Sequence, residues 1–469
     1  MNQRRKPSNT RVKTLFRVFI SLVAIAVMLY AGKMAVKFCL GLFVDGFVVT
    51  LPGYESPIIS ESDIPKATAP KDGDHTVIVE VARADMLATG DLMLHLPIIR
   101  SAKSGKTYDF SSIFQYLNRY INQADYAVVN LETTLSGTDG LEYTGYPKFN
   151  SPDAITTAVK DVGFDMMLTG NNHCYDYGTP GLKRTLQTIK DAGLAPLGTT
   201  ESNDEPKFAV KDVDGIKIGM ICYTYGEIGD KADRPSVNGL PTDSAAAGLI
   251  NVFDYSKLDA FYSDMKSQIA SMEAMGAETV VLFIHWGEEY TTKSNEKQAA
   301  IAQKMCDLGV DVIVGGHPHV VQPMELLSST TDPDHKTICL YSTGNFLSNQ
   351  RATNISLTTG HSEDSLLFTF TFVKYSDGTV VVESVDLLPT WVLIRGSGDN
   401  RKYQILPLDQ TVADWKTTFD LSKSQIEDAQ ASFNRTSKIV KSGLDQVKAY
   451  LAQAKAERAG AGYLAPGVG

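Results

Sequence analysis

Residues 311–322 read DVIVGGHPHVVQ, a short apolar strand that ends in two glycines and a His-Pro-His triplet. The same arrangement, an apolar run followed at once by polar side chains, occurs at four other places in the chain. These are Gly90-Asp91 after DMLAT, Asn130 and Glu132 after YAVV, Gly170-Asn171-Asn172-His173 after DMMLT, and His285-Trp286-Gly287 after VVLFI. In open α/β sheets, ligands bind just beyond the carboxyl ends of strands. The five segments therefore predict one polar site built from several strand ends.

Short apolar strands alternate with helical patterns between these segments. Residues 216–224 form a strand-like run, and residues 255–275 and 296–308 have helical spacing. This alternation predicts an α/β sandwich with its helices outside. From about residue 366 the pattern becomes β-rich, and residues 411–458 are helical and strongly charged. The charged segment is interpreted either as a packed pair of helices or as a semi-detached extension.

The strand-end residues together offer two carboxylates, an Asn amide and up to four imidazoles. This mixture of oxygen and nitrogen donors suits Mn²⁺, Fe or Zn²⁺ and does not resemble an all-oxygen Ca²⁺ cage. His317 and His319 are the best single signal, because side chains at i and i+2 point the same way in extended backbone. The glycines before them allow a close approach to a ligand. We predict one or two divalent metal ions and no organic cofactor.

The first 44 residues carry eight Lys and Arg and no acidic residue, and residues 18–32 (VFISLVAIAVMLYAG) are uncharged. With its flank this run approaches the roughly 20 residues that cross a bilayer. The basic side should stay cytoplasmic, which places the main domain outside the cell in a single-pass arrangement. A cleaved signal peptide is the alternative. We predict a basic tail, a transmembrane signal-anchor, a stalk or linker, a main domain and a helical C-terminal extension at residues 1–13, 14–37, 38–75, 76–400 and 401–469.

The main part of the chain is acidic, although the net charge of the whole is only -10. Beyond residue 44, 36 Lys and Arg stand against all 54 Asp and Glu. Such a balance excludes a general binder of nucleic acid, which needs clustered cations. The 5 cysteines form no CxxC pair, so neither a zinc knuckle nor a disulfide framework is indicated.

Six motifs, in order from about residue 85 to 350, carry a family resemblance: TGDLML, VVNLETTLS, LTGNNHCYDYG, IHWGEEY, GGHPHVVQ and YSTGNFLSNQ. They resemble the CapA/PgsA proteins of bacterial poly-γ-glutamate capsule synthesis, a branch of the calcineurin-like metallophosphoesterases. The resemblance implies two β-sheets flanked by helices. It also implies a membrane-anchored subunit that works on the capsule polymer or its precursor, beside membrane ligase and export subunits. The alternatives are a surface metal-dependent phosphoesterase or hydrolase, and a non-catalytic binding subunit.

The same resemblance assigns metal ligands to the strand ends. It implies a first ion at Asp91 and His319 and a second ion at Asn172, His285 and His317, with Glu132 in place of a bridging aspartate. One motif departs from the phosphoesterase pattern. Those enzymes open with Asp-x-His, whereas this chain has Asp91-Leu92-Met93, with His95 at the wrong spacing. The first metal site is therefore expected to be weak, altered or absent.

The resemblance further implies a catalytic pair and a set of pocket residues. His173 would protonate the leaving oxygen. Asp176 would orient the His173 imidazole, as carboxylates beside such rings do. The remaining polar and aromatic side chains of the motifs would lie in or around the pocket: Asn130, Asn171, Trp286, Glu288, Glu289, Tyr290, Gln322 and Asn345.

Overall fold

The computed structural model describes residues 77–229 and 234–464. The predicted cytoplasmic tail, signal-anchor and stalk, residues 1–75, lie outside the described residues. Among the helices of the described ranges, none is both long enough and apolar enough to cross a membrane.

The described chain forms strands that run, in order, β1 Ile78–Leu92, β2 Lys103–Ser104, β3 Thr107–Tyr108, β4 Tyr126–Leu131, β5 Met166–Leu168, β6 Ala195–Leu197, β7 Phe208–Val213, β8 Ile216–Tyr225, β9 Ser236–Val237, β10 Leu240–Pro241, β11 Val252–Phe253, β12 Thr279–His285, β13 Val312–Gly316, β14 Met324–Ser328, β15 Lys336–Leu340, β16 Asp364–Tyr375, β17 Val380–Arg395, β18 Lys402–Pro407 and β19 Tyr463–Leu464. Its helices are α1 Leu96–Ser101, α2 Ser111–Phe114, α3 Asn118–Ile121, α4 Ala154–Val162, α5 Gly178–Asp191, α6 Leu258–Ala274, α7 Glu296–Asp307, α8 Trp415–Phe419 and α9 Lys423–Gly460.

Two large sheets organise these strands. The first has the order β18-β17-β16-β1-β4-β5-β6, and β19 also pairs with β1. The second has the order β11-β8-β12-β13-β15-β14, and β7 also pairs with β8. Strands β1, β4, β5 and β6 run parallel, as do β8, β12, β13 and β15. The carboxyl ends of each parallel set therefore lie along one edge of its sheet.

Apolar side chains fill the space between the sheets and also cover the outer face of each. Successive side chains of a strand point to opposite faces. In β12, Phe283 accordingly joins the central core, whereas Leu282 and Ile284 join the core beneath the helices. Helix α4 covers the first sheet through Ile155, and helix α7 covers the second through Met305. This layering confirms the predicted α/β architecture of two sheets flanked by helices.

The C-terminal segment is part of this unit. Helix α9 is preceded by its N-cap Ser422, whose side chain and that of Gln425 form a capping box. Its Val440 and Val447 belong to the central core. At Gly443 an added Cβ would stand 1.8 Å from the Met324 carbonyl oxygen, so only glycine allows the helix to lie this close to β14.

One prediction about the C-terminus is corrected here. Residues 402–407 were predicted to belong to a helical extension, but they form β18, the edge strand that pairs antiparallel with β17. Of the two interpretations of segment 411–458, the packed one holds: it contains the short helix α8 and the long helix α9, which pack on each other and on the rest of the unit. The boundary predicted at residue 400 therefore falls within the first sheet.

Candidate metal centre

The polar residues singled out in the sequence lie at the carboxyl ends of parallel strands of both sheets. From the first sheet, β1 ends with Asp91-Leu92, β4 is followed at once by Glu132, and β5 leads into Asn172. From the second sheet, His285 is the last residue of β12 and His317 follows β13 directly. The topology thus brings sequence segments more than 200 residues apart to one place.

One cluster of ligand atoms lies entirely in the interior. Single ligand atoms of Asp91, Glu132 and His285 lie within 4.8 Å of one another, and all three residues are buried. His285 Nε2 is 3.6 Å from Glu132 Oε1 and 2.9 Å from Asn172 Oδ1. Two carboxylates and an imidazole, with an amide oxygen beside them, form a donor set that suits a divalent transition metal.

A second cluster adjoins the first. Ligand atoms of Glu289, His317 and His319 also lie within 4.8 Å of one another. His319 connects the two clusters, because its Nδ1 is 3.3 Å from Asp91 Oδ2 and its Nε2 is 3.8 Å from Glu132 Oε1. The grouping differs from the one implied by the resemblance, which paired His317 with His285.

Several buried polar atoms of these clusters lack a hydrogen-bond partner within the part of the chain that the structure describes. Both carboxylate oxygens of Glu132 and the Nδ1 of His317 are buried and unpartnered. Buried polar atoms are normally paired, and an unpaired one costs about 1–3 kcal/mol. A bound divalent ion would satisfy these atoms. The residues present therefore fit a metal ion, and the buried Asp, Glu and His group can hold one.

The His-Pro-His loop does not have the extended backbone that was predicted for it. His317 has φ 94° and His319 has φ 57°, both in the region that favours glycine. Non-glycine residues held there typically cost about 1–3 kcal/mol each and cluster at functional sites. Hydrogen bonds hold the loop in place: Tyr290 N–H donates to Pro318 O at 2.8 Å, and His317 N–H to Asp91 Oδ2 at 3.3 Å.

The glycine before this loop allows the close approach that the sequence predicted. A Cβ added at Gly316 would stand 2.9 Å from Asp91 Oδ1. That distance is shorter than a normal contact, so any larger residue would displace the Asp91 carboxylate. Asp91 Oδ1 also accepts a hydrogen bond from Asn130 Nδ2 at 2.8 Å. The carboxylate is thus fixed from both sheets.

The electrostatics of the two clusters distinguish their imidazoles. Burial lowers the pKa of His317 well below its usual range, and the neighbouring His285 and His319 lower it further. Burial also opposes protonation of His319, but Glu132 and Asp91 outweigh it and raise its pKa to about 9. Burial alone would raise the pKa of Asp91, yet the hydrogen bond with His319 and the charge of His285 hold it below its usual value. At neutral pH the metal-free site therefore contains a charged His319 and a neutral His317.

Metal binding is expected to strengthen as the pH rises. A metal ion must displace the proton of His319, whose pKa is raised to about 9, so each ion that uses this imidazole releases one proton. The observed affinity for Mn²⁺ should rise about tenfold per pH unit below that value. Titrations of the full-length protein at several pH values measure this slope. An affinity that does not change between mildly acidic and mildly alkaline pH would contradict the assignment of His319 as a ligand.

His173 and Asp176 form a buried pair beside the first cluster. His173 Nδ1 lies 2.8 Å from Asp176 Oδ2, which also accepts a hydrogen bond from Phe149 N–H at 2.7 Å. The Phe149 ring contacts the His173 ring edge to face, with centroids 4.7 Å apart. Asn171 Oδ1 accepts a hydrogen bond from His173 N–H at 3.1 Å. The ring is held in one orientation, with Nε2 as the nitrogen that Asp176 does not engage.

The predicted pocket residues separate into several groups. Asn130 and Asn171 support the site, since Asn171 Nδ2 donates to Asn130 Oδ1 at 3.1 Å. Asn345 Oδ1 lies 3.2 Å from His319 Nδ1. The Tyr290 ring lies near that of His319, with centroids 6.0 Å apart.

One pocket prediction is corrected, and two predicted residues lie outside the ligand clusters. Trp286 is fully buried in the outer core of the second sheet, where its Nε1 donates to Tyr341 O. Gln322 bonds to Gln298 and to the backbone of the loop after β12, so it braces that loop and does not line the site. Glu288 is exposed and belongs to neither ligand cluster.

Two further residues clarify the site. Tyr225 ends β8, and its ring contacts the His317 ring with centroids 4.7 Å apart. The sequence analysis missed it, although the strand-end rule applied to β8 would have found it. His95 is in neither ligand cluster, because its Nδ1 accepts a hydrogen bond from Asn349 N–H and its ring packs on Phe149. It therefore does not replace the missing histidine of the Asp-x-His motif.

The protein is thus an α/β sandwich of two sheets with buried carboxylates and imidazoles at its strand ends. Comparison with known proteins identifies the family. Residues 85–350 match the family described as "Bacterial capsule synthesis protein PGA_cap". The match covers more than half of the chain, so the protein belongs to this family.

Two relatives show the extent of the similarity. The chain is 27% identical over 319 residues to the "Capsule biosynthesis protein CapA" of Bacillus anthracis, a match that covers 66% of this chain and 68% of the relative. It is 26% identical over 324 residues to the "PGA biosynthesis protein CapA" of Bacillus subtilis (strain 168), covering 67% and 77% respectively.

Proposed function

We propose that this protein is a membrane-anchored, extracellular component of capsule synthesis or export, acting on poly-γ-glutamate or its precursor, with a pocket that holds one or two divalent metal ions. Membership of the capsule synthesis family supports the pathway. The basic and then apolar N-terminal sequence supports the anchor and the outward-facing domain. The partners would be the membrane ligase and export subunits of the same complex.

The observation that carries the proposed metal pocket is the buried, unpartnered carboxylate of Glu132. Its two oxygens have no hydrogen-bond partner, while His285 Nε2 and His319 Nε2 lie 3.6 and 3.8 Å from Oε1. A buried carboxylate without a hydrogen-bond or ligand partner destabilises the folded state. Its position between His285 and His319 is that of a residue that would hold a metal ion together with these imidazoles. The sheets and strand ends are also those that the resemblance to calcineurin-like metallophosphoesterases implies.

The residues of the site would divide the work as follows. A bound divalent ion would polarise a phosphate or carbonyl oxygen of the substrate. His173 would exchange a proton with the reacting group through Nε2, since Asp176 holds Nδ1. Asn172, beside His285, would orient the substrate or complete the ligand set.

Complementation of a deletion strain tests this function. Deleting the gene should remove the surface polymer, and the unaltered gene should restore it. A His285→Ala variant should fail to restore it, because the buried cluster loses one of its ligands. Surface polymer is measured chemically, and protein abundance in the membrane fraction is measured by immunoblot. Full restoration by His285→Ala at normal abundance would contradict a role for the metal pocket in capsule synthesis.

A surface metal-dependent hydrolase is the second candidate function. It is favoured by the His173–Asp176 pair, a buried imidazole with one nitrogen held by a carboxylate next to the ligand clusters. If this pair is catalytic, His173→Ala should fail to restore polymer and should abolish cleavage of a phosphodiester by the purified protein. If His173→Ala restores polymer fully, the site acts as a scaffold, and the protein is a non-catalytic binding subunit.

A further inference from the structure

Glu289 is the exposed member of the second ligand cluster, whose two imidazoles are buried. It is exposed, yet one of its carboxylate oxygens lies within 4.8 Å of ligand atoms of two buried imidazoles, His317 and His319. At the other side of the site, the motif that opens the chain's ligand set has Met93 in place of a histidine, a buried core residue whose soft thioether suits Mn²⁺, Fe or Zn²⁺ poorly. The second cluster therefore has two imidazoles and one carboxylate, all from the second sheet.

The loop that carries Glu289 is fixed on both sides. Before it, Gly287 N–H donates to Tyr255 Oη at 2.8 Å. After it, Tyr290 N–H donates to Pro318 O at 2.8 Å, and Tyr290 Oη accepts from Gln350 Nε2 at 3.0 Å. The Tyr290–Pro318 bond ties this loop directly to the His-Pro-His loop. Glu289 is thus held beside His317 and His319 by backbone contacts, which is the arrangement expected of a preorganised ligand.

An independent observation at His317 points to a ligand. Its Nδ1 is buried without a partner, and its backbone is held at φ 94°. The ring packs against Tyr225 and His285, with centroids 4.7 and 4.8 Å away. Buried ring nitrogens are normally hydrogen-bonded, so this one indicates a ligand atom that none of the residues in 77–229 and 234–464 supplies.

We propose that Glu289 is a metal ligand, which together with His317 and His319 holds an ion that adjoins the cluster of Asp91, Glu132 and His285. This inference rests on the proposed metal pocket and refines it. The loop after β12 then supplies the ligand that the opening motif lacks. Two nitrogens and one carboxylate oxygen suit Mn²⁺, Fe or Zn²⁺ better than Mg²⁺ or Ca²⁺.

Titration of the full-length protein with Mn²⁺ alone tests the inference, with free Mn²⁺ followed by electron paramagnetic resonance. The unaltered protein should bind two equivalents. Glu289→Gln should lose one equivalent, or weaken it by at least about 100-fold, because an amide is a much poorer ligand than a carboxylate. Glu288→Gln is the matched control, since it removes the same charge one residue away and outside both clusters. It should bind as the unaltered protein does. Glu289→His, which offers another ligand atom, should restore the lost equivalent with Zn²⁺.

The outcomes separate the inference from the proposed pocket. If the unaltered protein binds no Mn²⁺ and no Zn²⁺, both the pocket and the inference are wrong. If it binds metal and Glu289→Gln binds the same number of equivalents with the same affinity, the inference alone is wrong. If Glu288→Gln loses as much as Glu289→Gln, the effect is one of general charge and the assignment of Glu289 as a ligand is overturned. Melting curves in chelator check that all variants are folded.

Discussion

Replacing Glu132 by glutamine is expected to stabilise the metal-free protein and to abolish the stabilisation that a divalent metal provides. Glu132 is fully buried, and neither carboxylate oxygen has a hydrogen-bond partner. His319, whose pKa is raised, lies 3.8 Å from Glu132 Oε1 but only 3.3 Å from Asp91 Oδ2, so Asp91 shares its charge. An uncharged amide of the same shape removes the cost of a buried, partly compensated charge. We expect a gain of about 1 kcal/mol in the free energy of unfolding without metal.

The stabilisation that a bound metal provides should decrease in the same variant, whereas the stability of the metal-free protein increases. Denaturant unfolding of the unaltered protein with Mn²⁺ at about 100 times its Kd should show a gain of about 2.7 kcal/mol over the chelated protein. The Glu132→Gln variant should show little or none of this gain, because it loses the carboxylate placed between the clusters. Opposite signs in the two conditions are characteristic of a functional ligand that destabilises the fold.

Glu383→Gln provides the matched control for this experiment. Glu383 is also buried, but its carboxylate is paired with Lys455 at 2.6 Å and with Arg458. Removing a satisfied charge should cost about 1–3 kcal/mol and leave the metal-dependent gain unchanged. The assignment of Glu132 as a metal ligand would be wrong if Glu132→Gln destabilised the metal-free protein as Glu383→Gln does and the variant were still stabilised by metal.

Replacing Arg435 by methionine is expected to cost about 3–5 kcal/mol of stability at pH 8. The Arg435 guanidinium binds both carboxylate oxygens of Asp364, and Ser432 Oγ donates to one of them at 2.6 Å. Asp364 is almost fully buried at the start of β16. Without Arg435, the interior would contain a carboxylate that has lost its guanidinium partner, and helix α9 would lose one of its ionic contacts with the first sheet.

The loss should become smaller as the pH falls. Burial raises the pKa of Asp364 to about 6 even though Arg435 opposes it, and removing Arg435 should raise it further. The folded state then holds a proton that the unfolded state releases, so folding is favoured by low pH across this range. We expect Arg435→Met to be clearly less destabilising at pH 5 than at pH 8, as measured by denaturant unfolding at both values.

Lys441→Met is the control on the same helix. Lys441 and Asp445 form an exposed i, i+4 pair, with side-chain exposures of 72% and 59%, so its loss should cost about 0.5 kcal/mol or less. Adding Asp364→Asn to Arg435→Met should recover part of the lost stability. Equal effects of Arg435→Met and Lys441→Met would contradict the assigned role of the buried pair.

Arg435→Met should also weaken metal binding, although Arg435 does not touch the proposed metal site. The backbone carbonyl of Asp364 accepts a hydrogen bond from Asn345 N–H at 3.1 Å, and Asn345 Oδ1 lies 3.2 Å from His319 Nδ1. Arg435 is therefore connected through two residues to a ligand of the proposed site. Losses of contacts that orient metal ligands typically cost about 10–100-fold in affinity, and we expect the lower end here.

The location of the site was accessible from the sequence because its signals are local. An apolar run that ends in a polar residue is visible without any structure, and parallel strands bring such ends to one edge. Asp91, Glu132 and His285 were all predicted in this way, and their ligand atoms lie in one buried cluster. Period-two alternation also explains the error at Trp286, since the residue after His285 must face the other side of the sheet.

The backbone conformation of the His-Pro-His loop and the placement of Glu289 depend on distant contacts and could not be predicted from the sequence. The positive φ of His317 and His319 depends on hydrogen bonds to Asp91 and to the loop of Tyr290, which a local pattern does not reveal. The exposed Glu289 could be recognised as a candidate ligand only once its loop was seen beside the His-Pro-His loop.

The sequence left open whether the C-terminal helix packs on the domain, for a different physical reason. Its buried face is made largely of small and polar side chains, among them Ala429, Ser432 and Thr436, with Val440 and Val447 further along. A sequence with few large apolar residues and many charges resembles a solvated helix. The partner of Arg435, Asp364, is 71 residues away, and no sequence pattern connects the two.

The metal content of the purified full-length protein is the most direct test of the metal centre. Protein prepared without chelator, exchanged into metal-free buffer and analysed by elemental mass spectrometry should contain one to two equivalents of Mn, Fe or Zn per chain. The Glu132→Gln variant, prepared in parallel, should contain substantially less than one. Unaltered protein that contains no transition metal, and takes up none when Mn²⁺ or Zn²⁺ is added, would contradict the account at its centre.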